Sequence, residues 1–293
     1  MKSWDALEEN SFFSEKVKKM IREDPSIAGR FFPYRRDQSA WIIPKWGVTA
    51  HEKGGDGLPV PPKELWAGYG ETSEEYLTSG QSHVETMKHI LEVSEFSFHE
   101  SGRILDFGCA AGRMTRYLKD LVNRYEIWGV DIRSDHILWC QQHLSPPFKF
   151  AMTTTFPHLP FEDKYFDMIY ACSIFTHICD LGETWLLELK RVLCPGGMMY
   201  ITVHDNHTIE LLLASPPGHW LHNTWIRQQL LTFEKETRFL ASGFSMFTLS
   251  REPGNAQVFH DLDYLRRQWG QIFQILSIVP EAYGYQTAIT LKK

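Results

Sequence analysis

The sequence predicts an α/β fold with a mostly parallel sheet, and three observations carry that prediction. Short apolar runs alternate with amphipathic stretches from about residue 103 onward. One run, residues 103–107, enters the small-residue loop Gly108-Cys109-Ala110-Ala111-Gly112, and a helical pattern begins at once. The next run ends on an acid, Asp131. Such alternation makes right-handed crossovers between parallel strands.

Each element has its own warrant. Tyr76, Leu77, Val84, Met87, Ile90 and Leu91 recur at three- and four-residue spacings, which predicts a helix over 74–93. Residues 103–107 read as the first strand, 112–121 as a helix, and 126–131 as the second strand. Ser134 offers an N-cap hydroxyl to a helix over 134–143. Residues 148–152 and 166–172 read as the third and fourth strands, with a helix over 184–193. Pro195-Gly196-Gly197 turns the chain into a fifth strand over 198–204. Residues 205–255 break the rhythm with Pro216-Pro217-Gly218 and several aromatics. An insertion there, at the ligand edge of a parallel sheet, is placed to be a lid or acceptor pocket. A helix over 262–269 and two strands, 273–279 and 285–291, close the chain, the strands pairing as a hairpin.

Residues 1–80 differ from the rest. They hold Trp4, Phe12, Phe13, Phe31, Phe32, Tyr34, Trp41, Trp46, Trp66, Tyr69 and Tyr76, and the loop Gly54-Gly55-Asp56-Gly57-Leu58-Pro59-Val60-Pro61-Pro62. They are expected to form an aromatic cap on a domain spanning 81–293.

Composition narrows the partners. A net charge of −6 over 293 residues argues against a general nucleic-acid binder. The local basic residues Lys16, Lys18, Lys19, Arg35 and Arg36 read as solvated charge. The five cysteines form no CxxC pair and several lie in apolar runs, which fits a reducing, cytoplasmic setting. No stretch has the plan of a signal peptide or the length of a membrane span, so no membrane partner is expected. A homodimer is compatible with this reading.

The loop and the acid together describe a nucleoside site. A dinucleotide site wants G-x-G-x-x-G, which would put Ala110 and Arg113 at the second and third glycines; the fit is poor. The pattern D-x-G-x-[GA]-x-G fits, with Asp106, Gly108, Ala110 and Gly112. Small residues let a ligand pass close, and backbone N–H groups there are expected to meet its carboxylate. Asp106 is placed to order the loop and hold a ligand ammonium, and Asp131 to accept from two ribose hydroxyls.

Four blocks in order extend the pattern: Ile104-Leu105-Asp106-Phe107-Gly108-Cys109-Ala110-Ala111-Gly112-Arg113, Gly129-Val130-Asp131-Ile132, Leu159-Pro160-Phe161-Glu162-Asp163-Lys164-Tyr165-Phe166-Asp167-Met168-Ile169, and Glu188-Leu189-Lys190-Arg191-Val192-Leu193-Cys194-Pro195-Gly196-Gly197. Over roughly residues 80–293 the chain resembles the class I S-adenosylmethionine-dependent methyltransferases. The resemblance implies a Rossmann-like seven-stranded sheet with an antiparallel last strand, and S-adenosylmethionine as cofactor, with S-adenosylhomocysteine as product. It implies a cofactor site drawn from Asp106, Gly108, Cys109, Ala110, Gly112, Arg113, Asp131, Ile132, Thr154, Thr155, Phe156, Cys172 and Tyr76. Two departures stand out. Ala110 replaces the middle glycine of the loop, and Thr153-Thr154-Thr155-Phe156 holds no acid where many members place one for adenine.

On the acceptor side, Ser173-Ile174-Phe175-Thr176-His177 looks like a Ser-x-Phe-Thr-His block of a bacterial small-molecule group. His177 and His204 leave the fourth and fifth strands and are the candidate bases, a neutral imidazole suiting pH 7. No metal is expected, although His204, Asp205 and His207 lie close in sequence. The expectation is methyl transfer to oxygen or nitrogen of a small molecule, a natural product or sugar-bearing intermediate, by in-line displacement. The alternatives are a peptide or protein side chain as acceptor, or a catalytically silent cofactor-binding partner subunit.

Overall fold

The computed structural model describes residues 52–98, 101–250 and 256–293. The aromatics from Trp4 to Trp46 and the basic residues from Lys16 to Arg36 lie outside the described residues.

Nine strands are described: β1 (Gly102–Phe107), β2 (Tyr125–Asp131), β3 (Lys149–Met152), β4 (Phe166–Ala171), β5 (Leu193–Val203), β6 (Met246–Leu249), β7 (Gln257–His260), β8 (Gln274–Tyr283) and β9 (Gln286–Lys292). Seven form one sheet in the order β3-β2-β1-β4-β5-β9-β8. The first five in that order run parallel, and β9 is antiparallel to both β5 and β8. This is the Rossmann-like seven-stranded sheet with an antiparallel last strand that the resemblance implies. The chain winds outward from β1 through β2 to β3, then crosses back to β4 on the other side. That reversal opens a crevice beyond the carboxyl ends of β1 and β4, where a ligand binds in such sheets.

Side-chain alternation explains how the sheet is buried on both faces. Ile104, Met168, Tyr170, Met198 and Tyr200 enter one core, with Val84, Met87 and Leu91 of helix α1 (Ser73–Val93) and Ile137 and Cys140 of α2 (Ser134–His143). Leu105, Phe107, Ile169, Met199 and Ile201 enter the other, with Trp185 and Leu189 of α3 (Gly182–Val192). Between β5 and β7 the chain forms α4 (Asn206–Ala214), α5 (Trp225–Thr237), a helical turn at Phe239–Ser242, and β6. These elements gather a third core around Leu212, Leu230, Phe239 and Phe259. Helix α6 (Leu262–Trp269) then adds Leu265 and Trp269 to the second core.

Three local expectations are corrected. The helix over 112–121 is a run of turns followed by a 3-10 helix, Thr115–Leu121. Gly112 is left-handed (φ 74°), so no right-handed helical turn can start on it. Ser134 is the first helical residue and not the cap, which is Arg133 with no side-chain bond. The fifth strand begins at Leu193, because Gly196 N–H bonds to the Lys293 carbonyl and carries the turn into the ladder with β9.

Candidate cofactor and acceptor site

The loop after β1 is fastened to the end of β2. Gly108 and Cys109 N–H both donate to the Val130 carbonyl (2.8 and 3.0 Å), Ala110 N–H to Asp131 Oδ2 (2.8 Å), and Gly112 N–H to the Cys109 carbonyl (2.9 Å). The amides of Gly108, Cys109, Ala110 and Gly112 are therefore used within the protein. Gly108 has φ 88°, and a Cβ there would stand 2.0 Å from Ile174 Cδ1. Ala110 takes the same left-handed conformation (φ 46°) as a glycine would, at a cost of roughly 1 kcal/mol.

Asp131 ends β2 almost fully buried, and each oxygen has one backbone donor: Ala110 N–H on Oδ2 and Arg133 N–H on Oδ1, both at 2.8 Å. A carboxylate offers about four lone-pair sites, so about two remain for ribose hydroxyls. Asp106 is buried at the end of β1, where Thr115 Oγ1 donates to its Oδ2 at 2.6 Å. Burial pushes its carboxyl up to about 7. An ammonium placed beside it would draw it back to the ionised form.

The remaining candidates divide. Ile132 and Cys172 are half-buried at the ends of β2 and β4, and burial holds the Cys172 thiol well above its ordinary range. Tyr76 is buried with one ring face stacked on Trp66 at 5.1 Å, and its hydroxyl has no partner among the described residues. Thr154, Thr155 and Phe156 are exposed, Phe156 at 72%. The buried hydroxyl of that segment is instead Thr153 Oγ1, without a partner among the described residues, while Thr153 N–H donates to the Asp131 carbonyl (3.0 Å). Sequence reading passed over Thr153.

On the acceptor side, His177 Nδ1 lies 2.8 Å from the Ala256 carbonyl. A carbonyl only accepts, so Nδ1 carries the proton and Nε2 holds the lone pair. His204 is buried between Tyr285 (5.4 Å) and Phe259 (4.9 Å), and neither ring nitrogen has a hydrogen-bond partner among the described residues. Burial first, then His177 and His260, holds it neutral well below the usual histidine range. Between them, Ser173 N–H and the Gln286 carboxamide meet at Thr202 Oγ1, which accepts from the first and donates to Gln286 Oε1, each at 2.7 Å. Asp205 caps α4 through Thr208 N–H, and His207 pairs with Glu281, so these residues are used separately. No group of three or more His, Cys, Asp or Glu among the described residues is placed to hold a metal ion.

With this geometry in view, residues 105–201 match the family model described as a methyltransferase domain. The chain carries a class I S-adenosylmethionine-dependent methyltransferase domain. The cofactor of that family is S-adenosylmethionine, and the donor set fits it: an acid at the end of β2, a buried acid on β1, and a glycine-conformation loop between them. The chain is 32% identical over 140 residues to a fatty-acid O-methyltransferase of Mycolicibacterium smegmatis, covering 46% of this chain and 48% of that protein. It is 23% identical over 146 residues to a malonyl-[acyl-carrier protein] O-methyltransferase of Enterobacter lignolyticus, covering 49% and 55%. The chain thus spans about half the length of these curated relatives. A solved protein of Pyrococcus horikoshii superposes with a TM-score of 0.52 at 20% identity, over 79% of this chain and 99% of its own. A S-adenosylmethionine-dependent methyltransferase from Leishmania major gives 0.51 at 11%, over 78% and 80%. Both show the shared fold.

Proposed function

We propose that the protein transfers a methyl group from S-adenosylmethionine to an oxygen or nitrogen of a small molecule. The observation that carries this is the Asp131 carboxylate, fastened to the loop by Ala110 N–H yet keeping lone pairs for a ribose. Oxygen is the favoured acceptor atom, because the two relatives named above are O-methyltransferases of acyl compounds.

When bound, the cofactor supplies a methyl group on a good leaving group, so the protein's work is positioning and exclusion of water. In this reading Asp131 holds the ribose, Asp106 the ammonium, Thr153 the adenine edge, and Ile132 covers the adenine face. Cys172 and Ser173 line the crevice between cofactor and acceptor. His177 accepts a proton through Nε2 where the acceptor has one to lose, and His204 with Tyr285 forms an apolar wall. Helices α4 and α5 and the paired strands β6 and β7 roof the acceptor, with β7 tied to the residue after β5 by His260 N–H on the His204 carbonyl (2.9 Å). The five free cysteines fit a reducing cytoplasm.

The test is to incubate the protein with S-adenosylmethionine and a panel of fatty acids, phenols and amines, and to measure S-adenosylhomocysteine and methylated product by mass spectrometry. Product from an acid or phenol supports the reading. Tight cofactor binding with no product across the panel would favour the silent partner subunit.

A further inference from the structure

Ser173, Thr202 and Gln286 close a ring of hydrogen bonds where β4, β5 and β9 meet, and each bond in it has a fixed direction. Ser173 N–H donates to Thr202 Oγ1 (2.7 Å), because a backbone amide has nothing to accept with. The Thr202 hydroxyl keeps its own proton and gives it to Gln286 Oε1 (2.7 Å). That orients the carboxamide, whose Nε2 then donates to Ser173 Oγ (2.8 Å). With the carboxamide reversed, the proton of the fully buried Thr202 would have no acceptor among the described residues, which is costly. Thr176 is fully buried too, and its hydroxyl lies 3.3 Å from Ser173 Oγ, its one side-chain partner among the described residues. Its proton is satisfied by pointing at Ser173.

Both lone pairs of the Ser173 hydroxyl are thus taken, and what it has left to offer is one proton. Thr176, Thr202 and Gln286 are buried, whereas Ser173 is half-buried, so Ser173 is the member of the group that a ligand can reach. Its backbone is left-handed (φ 57°), a conformation that serine keeps only where its surroundings hold it. The ring is what holds it. Ile174, the next residue, packs against Gly108 of the loop after β1, so the hydroxyl stands beside the place proposed for the cofactor. On its other side the ring adjoins an apolar wall. His204 lies two residues beyond Thr202, Tyr285 immediately precedes Gln286, and their rings stack at 5.4 Å.

We propose that the Ser173 hydroxyl is a donor-only contact that selects the acceptor, holding an oxygen that carries lone pairs and no proton. The acceptor class that fits is a carboxylate on an apolar body, its head on Ser173 and its body along His204 and Tyr285. A carboxylate oxygen takes a charge-assisted O–H···O bond from the serine. An alkylammonium has no lone pair to offer and sets its own protons against that of Ser173. The inference narrows the proposed function from oxygen or nitrogen to a carboxylate oxygen, and it rests on that reading.

Isothermal titration calorimetry at neutral pH tests it with S-adenosylhomocysteine, then with octanoate or octylamine added to the S-adenosylhomocysteine complex. Wild type holds octanoate more tightly than octylamine. Ser173→Ala weakens octanoate by about tenfold or more, the worth of a hydrogen bond to a charged partner, and leaves octylamine and S-adenosylhomocysteine within twofold. Ser173→Gly, which takes the left-handed backbone freely, gives the same pattern and covers the case of an alanine variant that does not fold. Gln286→Met frees a lone pair on Ser173, so octylamine binding rises while octanoate is retained better than in Ser173→Ala. A merely structural ring would produce no such gain. Unchanged octanoate binding in both Ser173 variants overturns the contact, as does equal weakening of all three probes. Octylamine no better bound by Gln286→Met than by wild type overturns the donor-only assignment. A wild-type complex that prefers octylamine, or that takes up neither alkyl probe, overturns this inference and leaves the cofactor reading standing. A protein that does not bind S-adenosylhomocysteine but holds octanoate through Ser173 overturns the proposed function and keeps the contact; one that binds none of the three overturns both.

Discussion

Replacing Asp131 by alanine tests the nucleoside site most directly. In the free protein each carboxylate oxygen has one backbone donor at 2.8 Å, and about half the lone pairs remain. Hydrogen bonds to a charged partner are worth about 1.5–3 kcal/mol each, so two ribose hydroxyls give a gross loss of about 3–6 kcal/mol. Water replaces part of this in an open crevice, and a tenfold weakening, about 1.4 kcal/mol, is the floor. The same change strips the Ala110 and Arg133 amides of their acceptor. At about 1 kcal/mol for each part-buried amide the fold loses about 2 kcal/mol, or roughly 4–8 °C in Tm for a chain of this size. Asp131→Asn keeps one oxygen as acceptor, so it recovers much of the stability and less of the affinity. Calorimetry with S-adenosylhomocysteine and a thermal melt read the two effects separately. An Asp131→Ala protein that binds the nucleoside within twofold of wild type would refute the assignment of the ribose.

Acid should destabilise the fold. Burial holds His260 at about 4 and His83 at about 3, with His204 also well below its ordinary range, so all three stay neutral while the unfolded chain takes up protons near 6.5. Stability then falls as pH drops below 6.5, by about 1.4 kcal/mol per unit for each histidine. Asp106, raised to about 7, works the other way: its contribution is full below 3.8 and lost as pH rises through 7. The net is a fall of about 3 kcal/mol per unit between pH 6 and 4, and urea titrations giving equal stability at pH 7 and 5 would show that these imidazoles protonate in place. If a ligand ammonium needs Asp106 ionised, S-adenosylhomocysteine should bind about tenfold more tightly at pH 8 than at pH 6, and Asp106→Asn should flatten that profile. Asp56→Ala should cost about 3–5 kcal/mol by stranding the buried Arg116 guanidinium, whereas an unshifted melt would mean the pair is dispensable. Gly108→Ala should lower stability by about 2 kcal/mol or more, since the new methyl meets Ile174 in a left-handed backbone; a melt like wild type would show that Ile174 yields freely.

What the sequence made legible is what local pattern determines. Ile104 and Leu105 point to opposite cores because strand side chains alternate, and the run that ends on Asp131 could be seen without knowing its neighbours. The N-terminal bounds of helices were less secure: Gly112 takes a left-handed conformation, and Arg116 beside it pairs with Asp56, which lies 60 residues earlier. Tyr69 and Tyr283 are 214 residues apart, and only closure of the sheet by β8 and β9 brings their hydroxyls together. Thr153 went unnoticed because the motif drew attention to its two neighbours, which the loop turns outward.

The two candidate bases bear on what kind of acceptor suits this crevice. His204 lies against two aromatic rings, neutral and without a hydrogen-bond partner on either nitrogen among the described residues, so it offers shape before it offers proton transfer. His177 can accept through Nε2, but its ring is oriented by a backbone carbonyl and it stands exposed. An alcohol or phenol acceptor would lean on that exposed imidazole to lose its proton. A carboxylic acid is already ionised at neutral pH and needs no base, only a cation to hold it and an in-line approach. The ring of His204 then serves as the wall along which an acyl chain lies. The pH profile of turnover separates these cases: a carboxylate acceptor gives a rate that does not fall with protonation of His177, and His177→Gln leaves kcat within a few-fold of wild type. An alcohol acceptor loses turnover with the same substitution.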